Sequence, residues 1–238
     1  MESTIASDES RTPTRLAAAL VGVSKGFRDG TTPDAPRREV LRDMSVQVSP
    51  GSIVVIRGPS GSGKTTLLNL LAGIETPDNG AVYLAGKPLS ELDDDGRTLL
   101  RRRCVGFVFQ SFNLIPTLSV VDNVAMPLSL LGTAMPAARA QAREVLGSLN
   151  LADRASANVE VLSGGEQQRI AVARALIHRP DIVLADEPTG NLDRRTGRVV
   201  LELLAKRVRG EGAALVMVTH SDEAAALADE TILLDGDA

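Results

Sequence analysis

Gly58-Pro59-Ser60-Gly61-Ser62-Gly63-Lys64-Thr65 is a complete G-x-x-x-x-G-K-[ST] sequence. It follows the apolar run Ser52 to Ile56 and opens the leucine-rich run Thr66 to Leu71, which gives the order strand, loop, helix. Glycines let successive backbone N–H groups turn inward around a polyphosphate, and the helix N-terminus adds positive potential. Lys64 can reach the β- and γ-phosphates, and the Thr65 hydroxyl can ligate Mg²⁺. The stretch predicts nucleotide binding, and a plain Gly/Ser turn beside a strand is the alternative.

The composition of the 238 residues narrows the class of protein. With 43% hydrophobic residues the chain can bury the core of one ordinary α/β domain or of two small ones. A net charge of −4 argues against a nucleic-acid partner held by a general basic field. One Tyr, four Phe and no Trp leave few side chains on which bases could stack. We therefore expect no nucleic-acid partner.

Cysteine content and hydropathy bear on compartment and membrane contact. The single cysteine, Cys104, excludes an internal disulfide, is compatible with a reducing cytosol, and is interpreted as a small buried hydrophobe. No apolar run approaches the roughly 18 residues that span a bilayer, so we expect membrane association only through a partner. Residues 1–14 have the composition of a disordered tail, and residues 15–238 are expected to form a single domain.

The first part of the chain predicts strands, and a later segment predicts helices. Leu16 to Val23 and Val40 to Val48 read as strands joined by the Asp/Gly/Pro-rich connection 29–38. Phe27 lies just before this connection, and its local sequence favours a side chain that caps a sheet edge over one that stacks on a base. From Ser111 to about Val161, Leu, Ala, Arg and Glu recur at helical spacing, which predicts a helical subdomain inserted between strands of the core.

Buried strands are predicted to deliver polar residues to one edge of a mainly parallel sheet. The run Asp181 to Ala185 ends in Asp186-Glu187, and the run Ala213 to Val218 ends in Thr219-His220. Ligands in such folds lie at the carboxyl ends of the strands. There Asp186 can hold Mg²⁺ through water and Glu187 can orient or deprotonate an attacking water, although two acids can also merely cap the next segment. His220 is a candidate γ-phosphate contact, although a lone histidine is usually structural.

A second glycine-containing stretch, Ser163-Gly164-Gly165-Glu166, precedes the helical run Ile170 to Leu176. Ser163 as N-cap with Glu166 three residues later satisfies the capping-box pattern. Capping does not explain two consecutive glycines at a helix start. They suit a close approach to the backbone, and a helix N-terminus suits a phosphate.

These motifs, in this order, resemble those of the ATPase subunit of an ABC transporter. The resemblance runs from about Leu16 to the end. It rests on Walker A (58–65), the Q-loop glutamine (Gln110), the signature (162–169), Walker B (ending in Asp186-Glu187), the D-loop (191–193) and the switch histidine (His220). Segments 58–73, 105–116 and 185–193 are further similar to the MacB/LolD-type ATPases, whose partners include permeases of macrolide export, lipoprotein release and antimicrobial-peptide resistance. The resemblance implies an α/β P-loop NTPase core with a mainly parallel central sheet, an N-terminal antiparallel β subdomain and an inserted helical subdomain at about 111–161.

The resemblance also implies a role for each matching residue. Catalysis would depend on Lys64, Glu187 and His220, and Mg²⁺ would be held by Thr65, Gln110 and Asp186. Two subunits would pack head to tail, so that one subunit acts on the ATP of the other through Ser163, Gly164, Gly165, Glu166 and the D-loop residue Asp193. ATP would be bound by Phe27, as the aromatic that stacks on adenine, and by Gly58, Pro59, Ser60, Gly61, Ser62, Gly63, Lys64, Thr65 and Thr66.

The implied function is ATP hydrolysis that drives an integral-membrane permease through ATP-dependent dimer closure. The partners would be a second copy or a paralogous ATPase, and a permease contacted within about Phe112 to Val124. The subunit would then lie in the cytoplasm, at the inner face of the cell membrane. A regulatory ATPase that controls a membrane partner in cell-wall or division processes would use the same chemistry. An ATPase of the DNA-repair or chromosome type would need a long coiled coil before the signature, and this segment is too short for one.

Overall fold

The computed structural model describes residues 16–28, 32 and 36–235. The expected tail at 1–14 and most of the connection 29–38 lie outside the described residues. The strands of the described chain are β1 (Ala18–Arg28), β2 (Arg37–Val48), β3 (Ile53–Arg57), β4 (Asn79–Leu84), β5 (Lys87–Pro88), β6 (Val105–Phe109), β7 (Ile182–Asp186), β8 (Ala214–Val218) and β9 (Glu230–Leu233). Its α-helices are α1 (Lys64–Leu71), α2 (Asp94–Cys104), α3 (Val120–Leu130), α4 (Met135–Ser148), α5 (Gly164–Leu176), α6 (Arg194–Glu211) and α7 (Asp222–Ala225).

The strands form two sheets. Five of them make a parallel sheet in the order β6-β7-β8-β3-β9. Its inner strands are buried along almost their whole length, because α1 covers one face and α5 and α6 cover the other. The other four strands make an antiparallel sheet in the order β2-β1-β4-β5. The predicted parallel central sheet and N-terminal antiparallel sheet are therefore confirmed.

Strand β1 extends five residues beyond the strand predicted at Leu16 to Val23. Its second half still pairs with β2, where Phe27 lies opposite Arg38, after irregularities in register. Gly22 has φ 57°, which lets the strand bend there. A prediction based on hydropathy ends the strand at Val23, because polar residues follow it. Backbone pairing does not require apolar side chains, so the strand continues through them.

Buried apolar side chains form three groups. The first lies between the antiparallel sheet, α1 and one face of the parallel sheet, and includes Leu20 and Leu67. The second lies between the opposite face, α5 and α6, and includes Leu204. The third holds α3 and α4 together and includes Leu146 and Ile170. Because Ile170 belongs to α5, the third group attaches the inserted helices α3 and α4 to α5, the helix that the signature begins.

The segment after β6 contains the helices that its spacing predicts. Besides α3 and α4 it has short 3-10 helices at Ala152–Arg154 and Val159–Val161. Pro136 lies in the first turn of α4, where a proline fits, whereas Pro127 lies inside α3 instead of ending it. Asn123 is fully buried in α3, and its amide bonds the backbone of the loop that enters the helix. That loop is thereby fixed to α3.

The environment of Cys104 and the lengths of the helices bear on two expectations drawn from composition. Cys104 ends α2 in a buried position, and burial raises the pKa of its thiol to about 12. A thiol held protonated in this way is an inert hydrophobe, as the sequence predicts. No helix within residues 16–28, 32 and 36–235 is long and apolar enough to cross a membrane.

Candidate functional site

The phosphate loop, Gly58 to Thr65, joins β3 to α1 at the carboxyl edge of the parallel sheet. Gly61 and Gly63 have φ of 80° and 89°, a region that L side chains rarely adopt. A Cβ on Gly63 would also lie 2.8 Å from Val40 Cγ1, and one on Gly58 would lie 2.5 Å from the carbonyl oxygen of Leu234. The loop is therefore wedged between β2 and the end of β9 in a conformation that requires glycine.

The polar side chains of the loop are held close to its backbone and to Walker B. Lys64 Nζ donates to the carbonyl oxygens of Gly58 at 2.8 Å and Pro59 at 2.7 Å. Thr65 Oγ1 donates to Asp186 Oδ2 at 3.3 Å. This bond can form because only β8 separates β7, which ends in Asp186, from β3, which leads into the phosphate loop. The sheet order thus brings together two of the residues predicted to hold Mg²⁺. Ser62 Oγ is buried and has no hydrogen-bond partner within the described chain.

Glu187 follows β7 in a strained conformation. Its φ is 44°, and a non-glycine residue held in the left-handed region costs of order 1–3 kcal/mol. Its N–H donates to the carbonyl of Val218 at 2.9 Å, which ties it to the end of β8. Its Oε1 lies 3.6 Å from His220 Nε2, with the Glu187 side chain 22% exposed and that of His220 60% exposed. The predicted pair is brought together at the strand ends.

Arg57 is a neighbour of this pair that the sequence analysis missed. Its Nη2 donates to the carbonyl of His220 at 3.2 Å and pairs with Asp222 Oδ1 at 3.0 Å. Arg57 ends β3, so one cation links the strand that carries the phosphate loop to the turn that carries the switch histidine. No local sequence signal pointed to this contact, because the residues are 163 and 165 positions apart.

Gln110 follows β6 at the same sheet edge and is bonded to the D-loop. Its Nε2 donates to Asn191 Oδ1 at 3.2 Å, and Asn191 Nδ2 donates back to the Gln110 carbonyl at 3.0 Å. A Cβ on Gly190 would lie 2.7 Å from Gln110 Nε2, so this position admits only glycine without a shift. The Gln110 amide nitrogen is therefore directed to the D-loop, and no hydrogen bond within the described chain joins this side chain to Thr65 or Asp186.

The signature begins α5 with the capping box that its sequence predicts. Ser163 Oγ donates to Glu166 Oε2 at 2.7 Å, and the Ser163 N–H donates to the same oxygen at 2.9 Å. The Glu166 N–H donates to Ser163 Oγ at 3.4 Å. These bonds to Ser163, assisted by the cation of Arg154, lower the pKa of Glu166 despite its partial burial. Glu166 is accordingly a carboxylate at neutral pH.

The two signature glycines have different explanations. A Cβ on Gly165 would lie 2.5 Å from Thr196 Cγ2, so this glycine is required where α5 packs on the first turn of α6. A Cβ on Gly164 would lie 3.4 Å from Leu192 Cδ2 and 3.6 Å from Phe112 Cζ, which are ordinary contacts. Packing inside this subunit therefore explains Gly165 but not Gly164.

Two buried polar side chains of α5, which the sequence analysis also missed, fix the neighbouring loops. Gln168 Nε2 donates to the carbonyl of Pro188, directly after Walker B. Arg174, 8% exposed, donates to the carbonyls of Phe112 at 2.9 Å and Asn113 at 2.5 Å. Phe112 and Asn113 have φ of 61° and 49°, and burial lowers the pKa of Arg174. The sequence does contain a signal for this buried role, since Arg174 is a charged residue within the apolar run of α5.

The remaining predicted residues lie at the ends of β1 and α6. Asp193 Oδ1 accepts from the Thr196 N–H at 3.1 Å, which makes Asp193 the N-cap of α6. Hydrogen bonds from the Thr196 side chain and from its N–H lower the pKa of Asp193. The Phe27 ring is 39% exposed, and the Lys25 ammonium lies 5.1 Å from its centroid. Nη2 of Arg38, the β2 residue opposite Phe27, lies 3.8 Å from the place of a Cβ on Gly61, so the Arg38 side chain reaches the phosphate loop.

The predicted residues thus fall into two groups. We call the first the phosphate-loop face, which comprises the loop 58–65, Asp186, Glu187 and His220. We call the second the signature face, which comprises Ser163 to Glu166. No hydrogen bond within the described chain joins Ser163–Glu166 to the loop 58–65. Each face forms its side-chain hydrogen bonds without the other, and Ser62 Oγ of the phosphate-loop face has no partner within the described chain.

Comparison with known proteins decides the family. The sequence model of the ABC transporter family matches residues 41–190, which contain both faces except His220. The chain belongs to the ABC transporter family. An uncharacterized ABC transporter ATP-binding protein from Mycobacterium tuberculosis (strain ATCC 25618 / H37Rv) is 46% identical over 217 residues, which cover 91% of this chain and 86% of that protein. The lipoprotein-releasing system ATP-binding protein LolD from Bordetella pertussis is 49% identical over 199 residues, which cover 84% and 86%.

A solved structure agrees with this assignment. It is the dimeric, post-hydrolysis state of the ATP-binding cassette MJ0796 bound to ADP and Pi. The fold matches this ABC ATPase with a TM-score of 0.82 at 38% identity, over 92% of this chain and 95% of that one. The resemblance to ABC transporter ATPases and the expected fold are confirmed. As a member of that family, the protein is an ATP-binding and ATP-hydrolysing transporter subunit.

Proposed function

We propose that this ABC ATPase forms half of a head-to-tail dimer that drives a MacB/LolD-type permease for lipoprotein release or export. The observation that carries the proposal is the division of the site into two faces that share no hydrogen bond within the described chain. One face offers groups suited to a polyphosphate and to water, and the other offers a helix N-terminus whose Gly164 no internal packing explains. The dimeric MJ0796 cassette and the name of the Bordetella relative support the same assignment.

ATP would bind at the phosphate-loop face. Lys64, now bonded to two loop carbonyls, would contact the β- and γ-phosphates as a compact positive charge. The buried Ser62 hydroxyl, without a partner in the described chain, adds a polar group that a phosphate oxygen could satisfy. The half-exposed ring of Phe27, at the strand end beside the loop, would stack on adenine. Residues Gly58 to Thr66 would supply the remaining contacts through the loop backbone and the start of α1.

Mg²⁺ fits the donors beside the loop. The Thr65 hydroxyl and the Asp186 carboxylate lie 3.3 Å apart, and both are hard oxygen donors. Within the described residues no group of three or more His, Cys, Asp or Glu could hold a metal ion. When bound, the ion neutralises phosphate charge. Gln110, its amide held by Asn191, is the further proposed ligand.

Hydrolysis would depend on Glu187 and His220. The Glu187 carboxylate is the proposed general base for the attacking water, and the strained backbone that carries it is bonded to the end of β8. His220, within 3.6 Å of Glu187, would contact the γ-phosphate. Ser163, Gly164, Gly165, Glu166 and Asp193 would act on the ATP of the other subunit, which is a second copy or a paralogous ATPase.

The permease would contact the segment Phe112 to Val124. This segment borders a groove of about 440 Å³ between α2, β6, α3 and α5, lined by arginines and apolar side chains that include Arg101, Phe109 and Met126. Contact with such a permease would place the protein at the cytoplasmic face of the membrane. The first buried core is shared by both sheets, which supports the proposal that residues 15–238 form one ATPase domain.

The substitution Lys64→Ala tests the phosphate-loop assignment. It removes the point charge among the phosphates, so ATP affinity should fall about 100-fold and hydrolysis should be abolished. Titration with a fluorescent ATP analogue and a phosphate-release assay measure the two effects. Lys206→Ala, which removes an exposed lysine of α6, is the matched control and should behave like the unmutated protein. Turnover by Lys64→Ala at the unmutated rate would overturn the assignment.

A further inference from the structure

Glu166 receives three hydrogen bonds, of which only two come from the signature itself. Ser163 supplies its N–H and its hydroxyl, at 2.9 and 2.7 Å. The third donor is Arg154, from the 3-10 helix that precedes the signature, whose Nε lies 3.2 Å from Glu166 Oε1. Arg154 is 54% exposed and Glu166 is 19% exposed, so the carboxylate is the shielded member of the pair.

The capping box conflicts with the role proposed for Ser163. A serine hydroxyl has a single proton, and here that proton is donated to the Glu166 carboxylate. Contact with a γ-phosphate requires the same proton, and it brings a highly charged anion next to an ionised Glu166. Like charges at such a distance repel one another unless a cation neutralises one of them.

We propose that Arg154 is a positioning residue for hydrolysis, and this inference rests on the proposed function. Arg154 keeps the charge of Glu166 neutralised while the Ser163 hydroxyl passes from Glu166 to the γ-phosphate of the ATP bound by the other subunit. Glu166 then retains the Ser163 N–H and the guanidinium as donors, so the N-terminus of α5 stays capped. Arg154 itself touches neither ATP nor Mg²⁺ in this mechanism.

The protein contains a matched arrangement away from the signature. At the N-terminus of α3, Ser119 Oγ donates to Asp122 Oδ2 at 2.8 Å, and Arg139 Nε bonds Asp122 Oδ1 at 2.6 Å. The exposed fractions of Arg139 and Asp122, 45% and 18%, are close to those of Arg154 and Glu166. Arg139→Ala therefore measures what such an arginine contributes to helix capping alone.

The experiment compares Arg154→Ala, Arg154→Lys, Glu166→Gln and the double variant Arg154→Ala/Glu166→Gln. The readouts are the Mg-ATP concentration for half-maximal dimerisation, measured by sedimentation, and kcat and KM from phosphate release. Arg154→Ala should raise the half-maximal concentration and KM about tenfold, with kcat at saturation within about twofold. Arg154→Lys should recover most of the loss. The double variant should stay within about twofold of Glu166→Gln alone, because a neutral glutamine in place of Glu166 still caps α5 and needs no cation.

Each contrary outcome has a distinct meaning. If Arg154→Ala impairs the Glu166→Gln protein as much as it impairs the unmutated protein, Arg154 does not act through Glu166 and the inference is wrong. It is also wrong if Arg154→Ala lowers only the melting temperature, by the same amount as Arg139→Ala, and leaves dimerisation unchanged. If the unmutated protein itself does not dimerise with Mg-ATP, the proposed function fails first and the inference falls with it.

Discussion

The phosphate-loop face and the signature face of this ABC ATPase differ in how their polar groups are satisfied. On the phosphate-loop face Ser62 Oγ has no partner within the described chain, Lys64 bonds only carbonyls there, and Glu187 has φ 44°. On the signature face Ser163 and Glu166 satisfy one another through a complete capping box. The phosphate-loop face therefore has a polar group without a partner and a strained backbone, whereas the signature face is a capped helix N-terminus.

The difference follows from the elements that carry each face. The phosphate loop at the carboxyl edge of the parallel sheet turns its polar groups toward a crevice and leaves Ser62 Oγ without a partner in the described chain, so a ligand can satisfy that group. A helix N-terminus can be capped by its own residues and is stable without a ligand. We therefore expect substitutions on the phosphate-loop face to affect chemistry within one subunit, and substitutions on the signature face to affect only the closed dimer.

The largest expected effect is that of Glu187→Gln on the phosphate-loop face. Glutamine keeps the size of the side chain but cannot accept the proton of the attacking water, so turnover should fall about 10²–10⁴-fold. ATP binding should survive, and an ATP-bound dimer should accumulate because hydrolysis no longer opens it. Size-exclusion chromatography with Mg-ATP beside a phosphate-release assay measures both effects. Hydrolysis close to the unmutated rate would show that Glu187 is not the base.

Ser163→Arg tests the signature face. It should abolish dimer closure while leaving ATP binding by the monomer intact. A bulky cation at the start of α5 would occupy the position proposed for the γ-phosphate of the other subunit. Nucleotide affinity should stay within about threefold of the unmutated value, since the phosphate-loop face is untouched. The two quantities are measured separately, by ligand titration and by ATP-induced dimerisation. Their joint collapse would mean that the signature serves only as a helix cap.

Arg174→Met is expected to have the smallest effect of the three, because it changes neither face directly and alters only the support of the loop that follows Gln110. Methionine keeps much of the volume but leaves the carbonyls of Phe112 and Asn113 without their donors, which should cost about 2 kcal/mol of unfolding free energy. The freed Q-loop should also lower turnover severalfold. Urea denaturation and phosphate release measure these changes, with Arg103→Ala, an exposed arginine of α2, as control. Unchanged stability would contradict the role of Arg174.

Much of the site could be predicted from the sequence, because its motifs are local. The loop 58–65 defines its own conformation through its glycines, and the capping box lies within four consecutive residues. Apolar runs predicted the buried parallel strands, and the polar residues directly after them predicted the edge where Asp186, Glu187 and His220 meet. The sequence by itself therefore determined the fold class, the family and the residues that lie at this edge of the sheet.

Only the tertiary structure decided which side chains support those residues. Arg174 bonds carbonyls 61 and 62 positions away, and Gln110 pairs with Asn191 across 81 positions. Hydropathy and periodicity describe neighbours along the chain, and they contain no information on which distant carbonyl lies opposite a buried guanidinium. The same holds for Gly165, whose need for a missing Cβ arises only because Thr196 of another helix occupies that space. Such contacts depend on how helices pack on a sheet, so they exist only once the chain has folded.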